Sequence, residues 1–118
     1  MNAAEITDEM IRLSRLLDDA LSYLSRQVKE YAEAEHAYRM GKAKAWLESP
    51  AGTVPERESF VNGVTADLRK PRDLADGMRQ AALEAVRSRR AQLSALQTAA
   101  NAHREEAGLA RYGPELEP

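Results

Sequence analysis

The chain has 118 residues, with 17 basic and 19 acidic side chains for a formal charge of -2, and no cysteine. This length allows one modest core. The near-cancelling charge argues against a general nucleic-acid coat, and the missing cysteines exclude disulfides, thiolate catalysis and Cys-based zinc sites. Only one Phe, one Trp and four Tyr supply aromatic bulk, while 31% of residues are charged and Ala is abundant. Ala favours helix and fills little volume, so slender helices are expected rather than a deep core.

The opening MNAAEITDEM lacks the basic segment and apolar run of a secretion signal, and no apolar run reaches the roughly 20 residues of a membrane span. The expected location is the cytoplasm, without membrane contact.

The first helix is expected over 8–48. Thr7 is a suitable N-cap, and Asp8 and Glu9 would sit where free N–H groups and the helix dipole favour anions. Met10, Leu17, Leu24, Tyr31 and Tyr38 recur every seven residues, and Leu13, Ala20, Leu21, Val28 and Ala34 widen that line into a stripe. Forty helical residues would extend about 60 Å. Such a helix cannot bury a stripe against itself and needs a companion helix or a second subunit.

The segment ESPAGT stops this helix through Pro50 and Gly52. Thr53 followed by Glu56 has the spacing of a capping box, and Pro55 in a first turn forfeits no internal hydrogen bond. A second helix is therefore predicted over 54–69, with Phe60, Val61, Val64 and Leu68 on one face. Pro71 predicts an end or sharp kink near Arg69.

A third helix is predicted over 74–107, with Met78, Ala82, Val86, Leu93, Leu96 and Ala100 as its stripe and a frayed tail over 109–118. The expected fold is all-α and single-domain. It is an elongated antiparallel hairpin or an open three-helix arrangement, with two long amphipathic helices and a shorter central one.

Candidate chemistry is sparse. The neighbouring carboxylates Asp18/Asp19 and Glu33/Glu35 read as solvated helix surface, since acid–base work needs carboxyls in a shaped cleft. His36 and His103 are the only histidines and have no metal-ligand spacing around them. There is no nucleophile elbow and no Gly-rich phosphate loop, so no catalytic residue, metal or cofactor is expected.

Two sets of residues remain. Arg69, Lys70, Arg72, Arg79, Arg87, Arg89 and Arg90 face only Asp73, Asp76 and Glu84 over residues 68–90, seven basic against three acidic, an excess of +4. This set could contact phosphates, or Arg79, Arg87 and Arg90 could pair with acids of the first helix such as Asp18, Asp19 and Glu35. Arg89 shares a seven-residue line with Ala75, Ala82, Leu96 and His103, where a cation would need a partner and could specify register. The second set, Tyr31, Tyr38 and Trp46 with Leu17, Leu24 and Val28, reads as an association surface, with Trp46 and Phe60 also placed to close the turn.

The arm YAEAEHAYRMGKAKAWL, followed by TVPERE and EAVRSRRAQLSALQ, resembles small helical accessory proteins of tailed bacteriophages and prophages over about residues 8–106. That resemblance implies a noncatalytic protein acting by association, as a homo-oligomer or with a phage or host protein. The alternative is a DNA-contacting recombination or replication accessory using the Arg-rich helix.

Overall fold

The computed structural model describes residues 1–116, with side chains through Ala110. The described residues form three helices, α1 (Ala3–Glu48), α2 (Val54–Val64) and α3 (Ala66–Leu116), and no strand. The chain is all-α, two long helices joined through a short one.

α1 starts earlier than Thr7. The Glu5 N–H donates to Asn2 Oδ1 at 2.8 Å, and Asn2 Nδ2 donates back to Glu5 Oε1 at 3.1 Å, so Asn2 is the cap. Ala3, Ala4 and Glu5 are all strong helix formers, which lets the helix run back to that cap. The Thr53 cap is where the sequence places it. Thr53 is extended, its Oγ1 accepts the Glu56 N–H at 3.3 Å, and Pro55 lies in the first turn of α2.

The break after α2 falls at Thr65 and not at Arg69 or Pro71. Thr65 is buried and donates its hydroxyl to the Val61 carbonyl at 2.7 Å, while its own carbonyl accepts the Leu68 and Arg69 N–H groups at 3.0 Å. This local bonding closes one helix and opens the next. Pro71 consequently lies in the second turn of α3. It removes the donor for the Asp67 carbonyl, but both residues are exposed, so water can serve that oxygen. Among the described residues no glycine has a positive φ. Gly108 therefore makes no left-handed cap, and α3 continues through Leu116 past the predicted stop at 107. Residues 117 and 118 of the predicted frayed tail lie outside the described residues.

The chain divides into two compact units, Met1–Leu21 with Glu84–Pro118, and Ser22–Leu83. In the first, the opening of α1 runs antiparallel to the later part of α3. Ile6 and Met10 line a cleft with Ala100 and His103, and Leu13 shares another with Gln92, Ala95 and Leu96. Ile6, Leu13, Val86 and Ala100 are its buried apolar residues.

The second unit holds the rest of α1, all of α2 and the opening of α3. Leu24, Gln27, Tyr31, Ala34, Tyr38, Gly41 and Ala45 recur at steps of three and four and are the covered positions of α1. Opposite them on α3, Arg72, Ala75, Arg79 and Ala82 follow the same spacing. At Gly41 the Leu68 side chain of α3 comes close enough that a Cβ there would oblige its terminal methyl to move. α2 lies against the end of α1, with Glu58, Val61 and Asn62 beside Lys42 and Trp46.

Candidate functional site

The densest polar chemistry lies in the Ser22–Leu83 unit, where arginines of α3 cover tyrosines of α1. The Arg72 guanidinium lies 4.2 Å from the Tyr38 ring centre, and that of Arg79 lies 5.1 Å from Tyr31. Both rings sit at covered positions of α1, seven residues apart, and both arginines at covered positions of α3, also seven apart, so the helix repeat itself sets up the two stacks. Acids complete them. Arg72 donates to Asp73 at 2.8 Å and approaches Glu35 at 3.7 Å, Glu35 also takes Arg39 at 2.8 Å, and Arg79 donates to Asp76 at 2.6 Å.

The hydrogen bond to Asp73 raises the Arg72 pKa above its ordinary value, opposed by some loss of hydration and supported by the nearby charges of Asp73 and Glu35. Arg72 therefore stays charged under all ordinary conditions. These are stacked, ion-paired cations, an arrangement that holds two helices in register.

One covered position of this seam lacks a partner. Gln27 is buried, at 7% exposure, and its Oε1 has no hydrogen-bond donor. An unmade bond on a buried carbonyl is destabilising, so Gln27 is a weak point of the seam.

At the end of the unit, arginines serve as helix caps from the following helix. α1 has no basic residue in its last turn. Arg57 of α2 supplies the charge instead, donating from Nη2 to the Trp46 carbonyl at 3.0 Å and lying 5.2 Å from the Trp46 ring. Arg69 of α3 repeats the arrangement on α2, donating to the Asn62 carbonyl at 3.3 Å. Arg57 covers Trp46 after the turn, and Phe60 is half-buried on α2.

The sequence-derived association set divides accordingly. Tyr38 is buried, Leu17, Leu24, Tyr31 and Trp46 are half-buried, and Val28 is 47% exposed. Leu21 is also exposed, at 38%. The covered line thus passes through Gln27 rather than Val28, one residue around the helix. On α3, Met78 is 41% exposed and Arg79 takes the covered position instead, whereas Ala82, Val86 and Ala100 are buried as expected.

The basic set is largely engaged. Arg69 caps α2, Arg72 and Arg79 stack on tyrosines, Arg87 pairs with Glu84 at 2.8 Å, and Arg89 donates to Gln92 at 3.1 Å. The partners of Arg87 and Arg89 are three residues away on α3, whereas those of Arg69, Arg72 and Arg79 include groups on α2 and α1. Pairing of Arg79 and Arg87 with acids of α1 is not what forms, because a short local reach orders fewer side-chain bonds. Among the described residues, Lys70 and Arg90 have no ion pair.

Glu33, Asp18, Asp19 and His36 are exposed, His103 is half-buried beside Ile6 and Ala100, and no three His, Asp or Glu converge on a common point among the described residues. None of the described helices is long and apolar enough to cross a membrane. No family model matches the chain, and no curated protein and no solved structure matches it.

Sequence reasoning missed Gln27, Arg57 and Gly41. Two were legible in part, since Gln27 and Gly41 lie on the seven-residue line of Leu13, Ala20 and Ala34. A polar residue or a glycine on an apolar line carries no hydrophobic signal, which is why that line was read without them.

Proposed function

We propose that this protein is a noncatalytic accessory factor that works by protein association, with a second copy of itself as its first partner. The observation that carries this reading is unburied surface. Large apolar side chains stand in solvent, including Leu47 at 88%, Leu74 at 67% and Val54 at 63% exposure. Apolar area left in water at this scale favours a contact with another molecule.

The resemblance of residues 8–106 to accessory proteins of tailed phages supplies the setting, the cytoplasm of an infected host. A phosphate-contacting role has less to draw on, because five of the seven arginines and lysines in the basic stretch already hold protein partners. Light scattering across a dilution series tests the reading. The expected mass is a multiple of 13.1 kDa that falls on dilution. A constant single-chain mass up to the highest soluble concentration overturns self-association.

A further inference from the structure

α2 and α3 are separated by the single residue Thr65, and the joint Val64, Thr65 and Ala66 holds no glycine, no proline and no positive φ. Helical bonding nearly runs through it. The Thr65 N–H reaches the Val61 carbonyl at 3.0 Å and the Arg69 N–H reaches the Thr65 carbonyl at 3.0 Å, each four residues back as in an uninterrupted helix. What is missing lies between them. The Ala66, Asp67 and Leu68 N–H groups do not bond the Asn62, Gly63 and Val64 carbonyls, and Leu68 takes the nearer Thr65 carbonyl at 3.0 Å. Val, Thr and Ala all occur inside helices, so residue type alone does not dictate the break.

Two side chains hold the joint open. The Thr65 hydroxyl donates to the Val61 carbonyl at 2.7 Å, a bond back along the helix of the kind that bends it. Arg69 Nη2 donates to the Asn62 carbonyl at 3.3 Å and to Asn62 Oδ1 at 3.4 Å. The Asn62 carbonyl is the acceptor that the Ala66 N–H would need for α2 to run on into α3. The guanidinium therefore occupies the oxygen on which the continuing helix would close.

We propose that Arg69 is the latch of a two-state joint. Engaged, it keeps α2 bent onto the end of α1; released, it lets α2 and α3 join as one helix. The bent state lays Val61, 1% exposed, beside Lys42 and Trp46 and brings Arg57 to the Trp46 carbonyl, so the latch also controls how α1 is capped. All of these residues lie in the Ser22–Leu83 unit. The latch is built to open, because both Arg69 acceptors are neutral amide oxygens, whereas Arg72, Arg79 and Arg87 hold carboxylates, which bind a guanidinium more strongly.

Amide hydrogen exchange, followed by NMR on the full chain, reads the joint directly. Arg69 is half-buried, and Arg69→Ala is expected to keep its helix content by circular dichroism. The Ala66 and Asp67 amides are expected to exchange about fivefold more slowly in Arg69→Ala than in the wild type, which is what one net backbone hydrogen bond supplies. The emission of Trp46, the only tryptophan, is expected to move to longer wavelength as α2 and Arg57 leave it. Thr65→Val keeps the buried volume, removes the hydroxyl bond and is expected to slow the same two amides. A side chain that merely tied α2 down would give the opposite result in Arg69→Ala, faster exchange across α2 with no gain at Ala66. That outcome, or wild-type rates at Ala66 and Asp67 in Arg69→Ala, overturns the latch.

Discussion

In the unit of Met1–Leu21 with Glu84–Pro118, the covered positions of α1 hold Ile6, Met10, Leu13 and Leu17, and those of α3 hold Leu93, Leu96 and Ala100. In the Ser22–Leu83 unit the same spacing holds Gln27, Tyr31, Tyr38 and Gly41 with Arg72 and Arg79. The first gains stability by removing aliphatic surface from water, without directional bonds. The second gains it by laying planar guanidinium groups on rings, which keeps the charged side chains 25% and 31% exposed and so spares part of their hydration. Identical helix geometry is therefore compatible with two chemistries. The polar one specifies which residues pair, because a ring and a guanidinium match only in one register.

Substitutions can separate the two. The largest effect is expected from Tyr38→Ala, about 3–4 kcal/mol of lost stability in urea denaturation, as a buried ring and its Arg72 stack both go. Tyr38→Phe should stay close to wild type, since the ring and not the hydroxyl carries the stack; a loss as large as that of Ala would contradict this account of the seam. Leu13→Ala follows at about 2–3 kcal/mol, a plain cavity cost in the aliphatic unit.

Gln27→Leu acts in the opposite direction. Removing a buried carbonyl without a donor is expected to stabilise by about 1 kcal/mol, and a destabilised variant would mean that Gln27 is bonded in solution.

The smallest effect is electrostatic and belongs to the aliphatic unit. The hydrogen bond from Arg12 holds the Glu9 carboxyl below the ordinary glutamate range. A depressed carboxylate pKa contributes stability above its unfolded value and loses it as pH falls through the folded one, so the contribution is present at neutral pH and vanishes in acid. Both side chains are in solvent, which keeps the stability change small. A carbon-detected NMR titration should show the Glu9 midpoint rising in Arg12→Ala.

Much of this was legible beforehand. Met10, Leu17, Leu24, Tyr31 and Tyr38 announced the covered line of α1 by spacing alone, and Thr53, Pro55 and Glu56 announced the start of α2 by cap chemistry. Pro71 misled because proline has a strong local preference, yet an exposed site in an early turn tolerates it once Thr65 has made the turn. Val28 and Met78 misled for a different reason. Each stands one residue beside the covered line, next to a polar Gln27 or Arg79 that hydrophobicity would have placed outside.

Composition, spacing and capping residues by themselves determined the helical class, the long α1 and the capped entry to α2, because these follow from bonds and side chains within a few residues of each other. Only the packed structure decided which edge of each stripe is covered, and that Arg72 and Arg79 stack on Tyr38 and Tyr31. Those outcomes depend on what the opposing helix presents at each level, and a periodic pattern on one helix carries no record of that.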